Sequence, residues 1–311
     1  MVGVRVSGVV GVRSSVGHLQ LLILDATGTK EIYELILGRQ VDTLELNLIS
    51  PVDVLQLGAG AYWRSSLLRP NSHTRRTIQD LVKTIVDSYP DRRIGIITFK
   101  NFIEPINEVI RDHRPPVSYA AFWAMRGSNS LMDCEILIVV GTPMANIGDL
   151  RAWASAIYWD GPAIDFTTVE FWERLGSAID DPDLDVEANI PRSFDPRLRL
   201  LAWQLCDAEL LQAIGRLRPL DHAEKKRLIL LSNLPIPGFN DVKVFRTSAQ
   251  MRSWFDGRGK AAEPSSKIAR IKAAIRKARL QGDPEPTIRE LMDKFGVSET
   301  LVKRARRQCR Q

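Results

Sequence analysis

Short apolar runs separated by helical stretches constrain this 311-residue chain more than any other feature. The run Ile136-Leu137-Ile138-Val139-Val140 offers no polar face to water, so a strand built from it has to be covered on both sides. Further strands are expected at residues 21–24, 43–48, 54–57, 94–99, 227–231 and 242–245, with a strand or turn at 119–123. Helical periodicity falls at residues 30–37, 73–88, 102–112 and 195–211. This alternation implies an α/β fold, a parallel sheet with helices on both faces. Residues 177–197 carry the acidic, proline-containing stretch Ala178-Ile179-Asp180-Asp181-Pro182-Asp183 and read as a surface loop. Thr247 and Gln250 are spaced as a capping box for a last short helix.

Beyond this body (residues 1–255) the composition changes. Residues 256–266, rich in Gly, Ala, Pro and Ser, read as a linker. Residues 267–311 hold a small all-α domain. A helix over 266–280 gathers Ile268, Ile271, Ile275 and Ala278 on one face and ends at Gly282 and Pro284. Thr287 and Glu290 form a capping box for a second helix with Leu291, Met292 and Phe295 on its apolar side. Gly296 turns the chain, and Ser298 caps a third helix containing Leu301, Val302 and Ala305. From residue 258 onward there are 15 lysines and arginines against 6 acidic residues, whereas the remainder holds 28 against 31. The basic excess is thus confined to the tail, as in a nucleic-acid-binding module.

Several classes are excluded or disfavoured. No apolar run approaches the roughly 18 residues of a membrane span. Cys134, Cys206 and Cys309 are scattered and odd in number, which fits reduced thiols in a cytoplasmic protein. His18, His73, His113 and His222 are isolated, so no metal site is expected. Residues 1–13 resemble neither a secretory signal nor a transit peptide; they read as an edge strand or as a fortuitous start inside a longer reading frame, and the second is preferred. Trp153, Trp159, Trp172 and Trp203 lie in apolar helical patterns and are expected in the core rather than stacked on bases. The Asp180, Asp181, Asp183, Asp185 series lacks the spacing of a calcium loop and is expected to be solvated.

The most informative motif is Gln212-Ala213-Ile214-Gly215-Arg216-Leu217-Arg218-Pro219. Two arginine forks suit phosphate oxygens, and Gly215 beside them admits a close approach that a side chain would block. The octapeptide resembles motif VI of the superfamily 2 (DEAD/DEAH-like) helicases, Gln-x-x-Gly-Arg. Upstream stretches agree in order: Leu24-Asp25-Ala26-Thr27 resembles motif III and residues 93–100 resemble the motif IV strand. Arg126-Gly127-Ser128-Asn129, with Asp133 and the strand that follows, resembles motif V. No Walker A pattern occurs in the chain; Thr27-Gly28-Thr29-Lys30 lacks the upstream glycine and interposes a threonine. The chain therefore resembles a C-terminal RecA-like lobe whose first lobe lies elsewhere, either because the reading frame is truncated or because another polypeptide supplies it.

The resemblance implies a division of labour. ATP and Mg2+ would sit between two lobes, with phosphates and metal held mainly by the first. Arg216 and Arg218 would reach the γ-phosphate, Gln212 would orient the site and Gly215 would lie against the nucleotide. A proline at position 219, with the second arginine at 218 rather than three residues after the first, leaves open which arginine is the finger. Lys100, Arg126, Gly127, Ser128 and Asn129, together with Thr98, would hold a nucleic-acid strand. Arg216 as a salt bridge to the acidic stretch, and Ser128 and Asn129 as a polar turn, stand as the plainer alternatives. Residues 287–305 are similar to the helix-turn-helix of resolvases and bacterial regulators, with Met292 departing from the usual small residue. Ser298, Glu299, Thr300 and Lys303 would face bases, and Arg304, Arg306 and Arg307 phosphates. The implied whole is the C-terminal half of an ATP-dependent DNA helicase of phage, plasmid or mobile-element replication, partnered by DNA and a first lobe, with no membrane. The alternative is a non-enzymatic DNA-binding protein on a degenerate RecA-like scaffold.

Overall fold

The computed structural model describes residues 22–23, 25, 27–44, 52–60, 62–124, 129–218, 226–239, 241–257, 271, 274–275 and 284–308, apart from the side chains of residues 304, 305, 307 and 308. Eight strands form one sheet: β1 (Val52–Leu57), β2 (Ile94–Thr98), β3 (Ser118–Ala121), β4 (Ile136–Val140), β5 (Thr168–Ala178), β6 (Asp181–Ser193), β7 (Lys226–Leu231) and β8 (Val242–Phe245). Their spatial order is β3-β2-β4-β7-β1-β8-β5-β6. Every neighbouring pair is parallel except β5 and β6. This is an α/β fold with a mostly parallel central sheet, RecA-like in general kind.

The helices in chain order are α1 (Lys30–Leu37), α2 (Arg64–Leu68), α3 (His73–Asp87), α4 (Ile103–Ile110), α5 (Ile147–Ile157), α6 (Pro196–Ala202), α7 (Ala208–Gly215), α8 (Ser248–Phe255), α9 (Ile288–Phe295) and α10 (Glu299–Gln308). The physical driver is burial. All five positions of β2 and of β4 are buried, as expected for strands covered on both faces. The stripe Ile78, Leu81, Val82, Ile85 and Val86 seats α3 in the same core. Helix α3 packs with α4 and α8, and α7 packs over β4. A second apolar cluster joins α1, α5 and α6 through Ile32, Leu150, Ala154, Ile157, Leu198 and Leu201. No helix among the described residues is long and apolar enough to cross a membrane.

Five expectations need correction. Most of the acidic stretch at 177–197 is not a loop but strand β6, paired with β5 in a long hairpin. The pairing is reinforced across the strands by Arg174 with Asp185 (2.8 Å), Asn189 with Glu170 (2.6 Å) and Arg192 with Glu173 (2.7 Å). At the root of the hairpin only Gly176 fits, since an added Cβ would lie 2.3 Å from the Val242 carbonyl oxygen. Its aspartates are not all solvated: Asp180 pairs with Arg246 and Asp181 is buried. Two tryptophans expected in the core, Trp159 and Trp172, are 50% and 69% exposed, because Trp159 follows the end of α5 and Trp172 lies on the hairpin opposite Asn189. Leu22 and Ile23, expected in a buried strand, are exposed and outside any strand. At α8 the cap is half of the expected box: Thr247 Oγ1 accepts from the Gln250 amide, but Gln250 Oε1 accepts from the Arg246 amide.

The helix pair α9–α10 keeps its own small core of Ile271, Ile275, Leu291 and Val302. Thr287 and Glu290 form the full reciprocal capping box, and Gly296 takes the left-handed turn with φ 56°. The expected strand at 43–48 lies mostly outside the described residues, as do residues 1–13 and 258–270 and most of the helix expected at 266–280.

Candidate functional site

Helices α6 and α7 are joined without a break by a π-helical turn, Trp203–Asp207. Such widened turns frequently accompany functional sites. Helix α7 carries Gln212, whose Nε2 donates to Thr27 Oγ1 at 2.9 Å. Thr27 in turn donates to Asp25 Oδ1 from both its amide (2.9 Å) and its hydroxyl (3.2 Å). Tyr33 donates its hydroxyl to Asp25 Oδ2 at 2.6 Å. Burial raises the Asp25 carboxyl, but the hydrogen bonds from Tyr33 and Thr27 outweigh it and hold the group below its ordinary range. Burial and the Asp25 acceptor push the Tyr33 phenol up to about 12. The motif III-like and motif VI-like stretches are therefore in direct contact.

At its end α7 tightens. The Leu217 and Arg218 amides donate to the Ile214 and Gly215 carbonyls, and Arg218 reaches a positive φ of 43°. Leu217 is fully buried, which fixes the half-buried Arg216 and Arg218 on either side of it. Arg218 Nη2 donates to Asn129 Oδ1 at 2.8 Å. Gly215 is exposed, and a Cβ built on it meets nothing within 4 Å. The fold itself does not require glycine there.

Lys226, first residue of β7, holds this junction from beneath. It is 4% exposed, and its Nζ donates to the carbonyls of Met132 (2.6 Å) and Leu217 (2.7 Å). Sequence reasoning passed over it. Nothing in the run Lys225-Lys226-Arg227 marks its middle residue as the buried one.

The other expected residues are distributed as follows. Arg126, Gly127 and Ser128 lie outside the described residues. Lys100 is exposed in the turn after the carboxyl end of β2, whereas Asn129 and Arg218 stand beside residues leading into the amino ends of β4 and β7. Thr98 is fully buried and donates to the Val140 carbonyl at 2.9 Å, so it is not a surface phosphate contact. Ser298, Glu299, Thr300 and Lys303 are exposed at the start of α10, with Lys303 paired to Glu299 at 2.7 Å; the side chains of Arg304 and Arg307 lie outside the description. Arg306 is engaged within the unit by the Pro286 carbonyl and Glu285. No group of three His, Cys, Asp or Glu side chains that could hold a metal ion occurs among the described residues.

Comparison of the chain with protein-family models, with curated proteins and with solved structures gave no match.

Proposed function

We propose that this chain is the second lobe of an ATP-dependent DNA motor, completed by a lobe that carries the phosphate-binding loop. The supporting observation is the convergence on α7 of three stretches far apart in sequence, through the Gln212–Thr27 and Arg218–Asn129 hydrogen bonds. A lobe that senses nucleotide and strand together needs such a junction, because a shift at the arginines then reaches the residues that grip the strand. What supports ATP at the end of α7 is that Gly215 is exposed to open space and two arginines follow it within three residues. There Arg216 and Arg218 stabilise the charge that spreads over the transferring phosphoryl group. Magnesium would be held by the other lobe and would supply charge neutralisation for the phosphates. Helices α9 and α10, in the stretch of sequence that holds the basic excess, dock on duplex DNA and tether the motor.

The test is ATP-driven displacement of a labelled DNA strand by the complex of this protein with the Walker-loop polypeptide that purifies with it. Arg216→Ala is expected to abolish displacement while leaving DNA binding within about twofold, and Arg218→Ala to abolish displacement and also weaken strand binding through Asn129. Displacement that survives both substitutions removes the basis for the reading.

A further inference from the structure

The carboxyl edge of the sheet carries a second cationic surface, built on residues other than the arginines that follow α7. Residues 54–79 contain four arginines, Arg64, Arg69, Arg75 and Arg76, and no acidic residue. None of the four, nor Lys100, forms a salt bridge among the described residues. The nearest acid along α3, Asp80, faces Arg252 at 3.6 Å instead. Arg75 and Arg76 occupy the first turn of α3, where the helix dipole disfavours cations. Such an arrangement lowers stability and suits an anionic ligand.

The surface is built, not loose. Ser72 Oγ accepts from the Arg75 amide at 3.1 Å and donates to the Ser66 carbonyl at 2.9 Å, tying α3 to α2. Leu67 anchors α2 in the core, and α2 packs on the turn Lys100–Phe102. An added Cβ on Gly141 would lie 2.6 Å from Phe99 and 3.2 Å from Leu67, so α2 and the end of β2 converge over that glycine. Phe99 in turn meets Trp123 with ring centroids 6.2 Å apart. Trp123 is 46% exposed and holds a positive φ of 61°, a conformation unfavourable for a bulky residue. It is kept there by Glu209 Oε1, which accepts from its amide at 2.5 Å, and by the Leu205 carbonyl, which accepts from Nε1 at 3.4 Å. Phe99 thus links the strained, exposed indole to α2, whose flanking arginines form no salt bridge among the described residues; an exposed ring and cations on one edge are the combination that binds single strands, bases on the ring and phosphates on the cations.

We infer that Trp123 with Arg64, Arg69, Arg76 and Lys100 forms a path for single-stranded nucleic acid along this edge. It shares only Lys100 with the motor reading and requires neither nucleotide nor second lobe, so its failure is separable from that of the motor.

The test uses the full-length protein without ATP. Labelled oligo(dT), duplex DNA of equal length, and vesicles of phosphatidylcholine and phosphatidylserine are titrated at several salt concentrations. The combined Arg64→Gln/Arg69→Gln/Arg76→Gln variant is expected to bind oligo(dT) at least tenfold more weakly, with a salt slope shallower by about 2, since each phosphate contact on a single strand contributes about 0.7. The corresponding triple lysine variant keeps the slope and controls for folding. Trp123→Ala weakens oligo(dT) on the order of tenfold without changing the slope, and duplex affinity is unaffected in every variant. Wild-type affinity for oligo(dT) in the glutamine variant overturns the inference. So does equal loss on duplex DNA, or a vesicle affinity that depends on these arginines while oligo(dT) affinity does not.

Discussion

The Arg218 guanidinium donates to the Asn129 side chain across 89 residues of sequence, at 2.8 Å, from a backbone held at φ 43°. The strained backbone and the hydrogen bond act in opposite directions on stability. Arg218→Ala loses the bond and keeps the strain, whereas Arg218→Gly loses the bond and relieves a penalty of about 1–2 kcal/mol. Urea unfolding should therefore rank the glycine variant above the alanine variant by about 1 kcal/mol. The reverse order would mean that the left-handed turn is not what the sequence tolerates at a cost.

Gly215→Ala separates fold from function at the same helix end. A Cβ meets no neighbour there, so the substitution should stabilise the protein by about 0.5–1 kcal/mol through reduced backbone entropy of the unfolded chain. In the assembled motor it should reduce ATP turnover, because that open space is where nucleotide is proposed to approach. A more stable variant with full turnover would show that nothing occupies the space.

Lys226→Met tests the clamp beneath the site. Removing Nζ leaves the Met132 and Leu217 carbonyls without the donor they share, and a buried group left without its partner costs about 1–3 kcal/mol. A loss of about 2–4 kcal/mol is expected by urea unfolding. An unchanged midpoint would show that the two segments are held together by packing alone.

A specific pH dependence follows from Asp195. It caps α6, and the hydrogen bonds from Arg197 hold its carboxyl at about 2, below the ordinary 3.8. A depressed carboxylate stabilises the fold fully above its unfolded value, and that contribution is lost as pH falls toward 2. Between pH 5 and 2 the Asp195→Asn variant should show a smaller fall in melting temperature than the wild type. Parallel curves would assign the acid sensitivity elsewhere.

Much of the sheet was legible because its central strands are apolar throughout, and residues 136–140 leave no alternative to burial. The hairpin was hidden because Asp183, Asp185 and Glu187 suggest a loop, while the signal that mattered was the alternate series Leu184, Val186, Ala188, Ile190. In the candidate site, Gln212, Arg218 and Asn129 could be picked out by motif and by order. Lys226 could not, since a buried lysine is recognised only by the carbonyls brought to it from two other segments. Trp123 was obscured for a related reason, since only the fold sets it against Phe99 and Glu209, whereas the acid-free run of arginines at 64–76 stands in the sequence itself.

In the proposed motor Arg216 and Arg218 complete an ATP site built on another polypeptide, and ATP hydrolysis by the purified 311-residue protein, with and without DNA, decides whether they do. Turnover alone is predicted to be no faster than buffer, with DNA-stimulated turnover appearing on addition of the Walker-loop partner and vanishing with Arg216→Ala. DNA-stimulated turnover by the protein alone, abolished by Arg216→Ala, would contradict the claim.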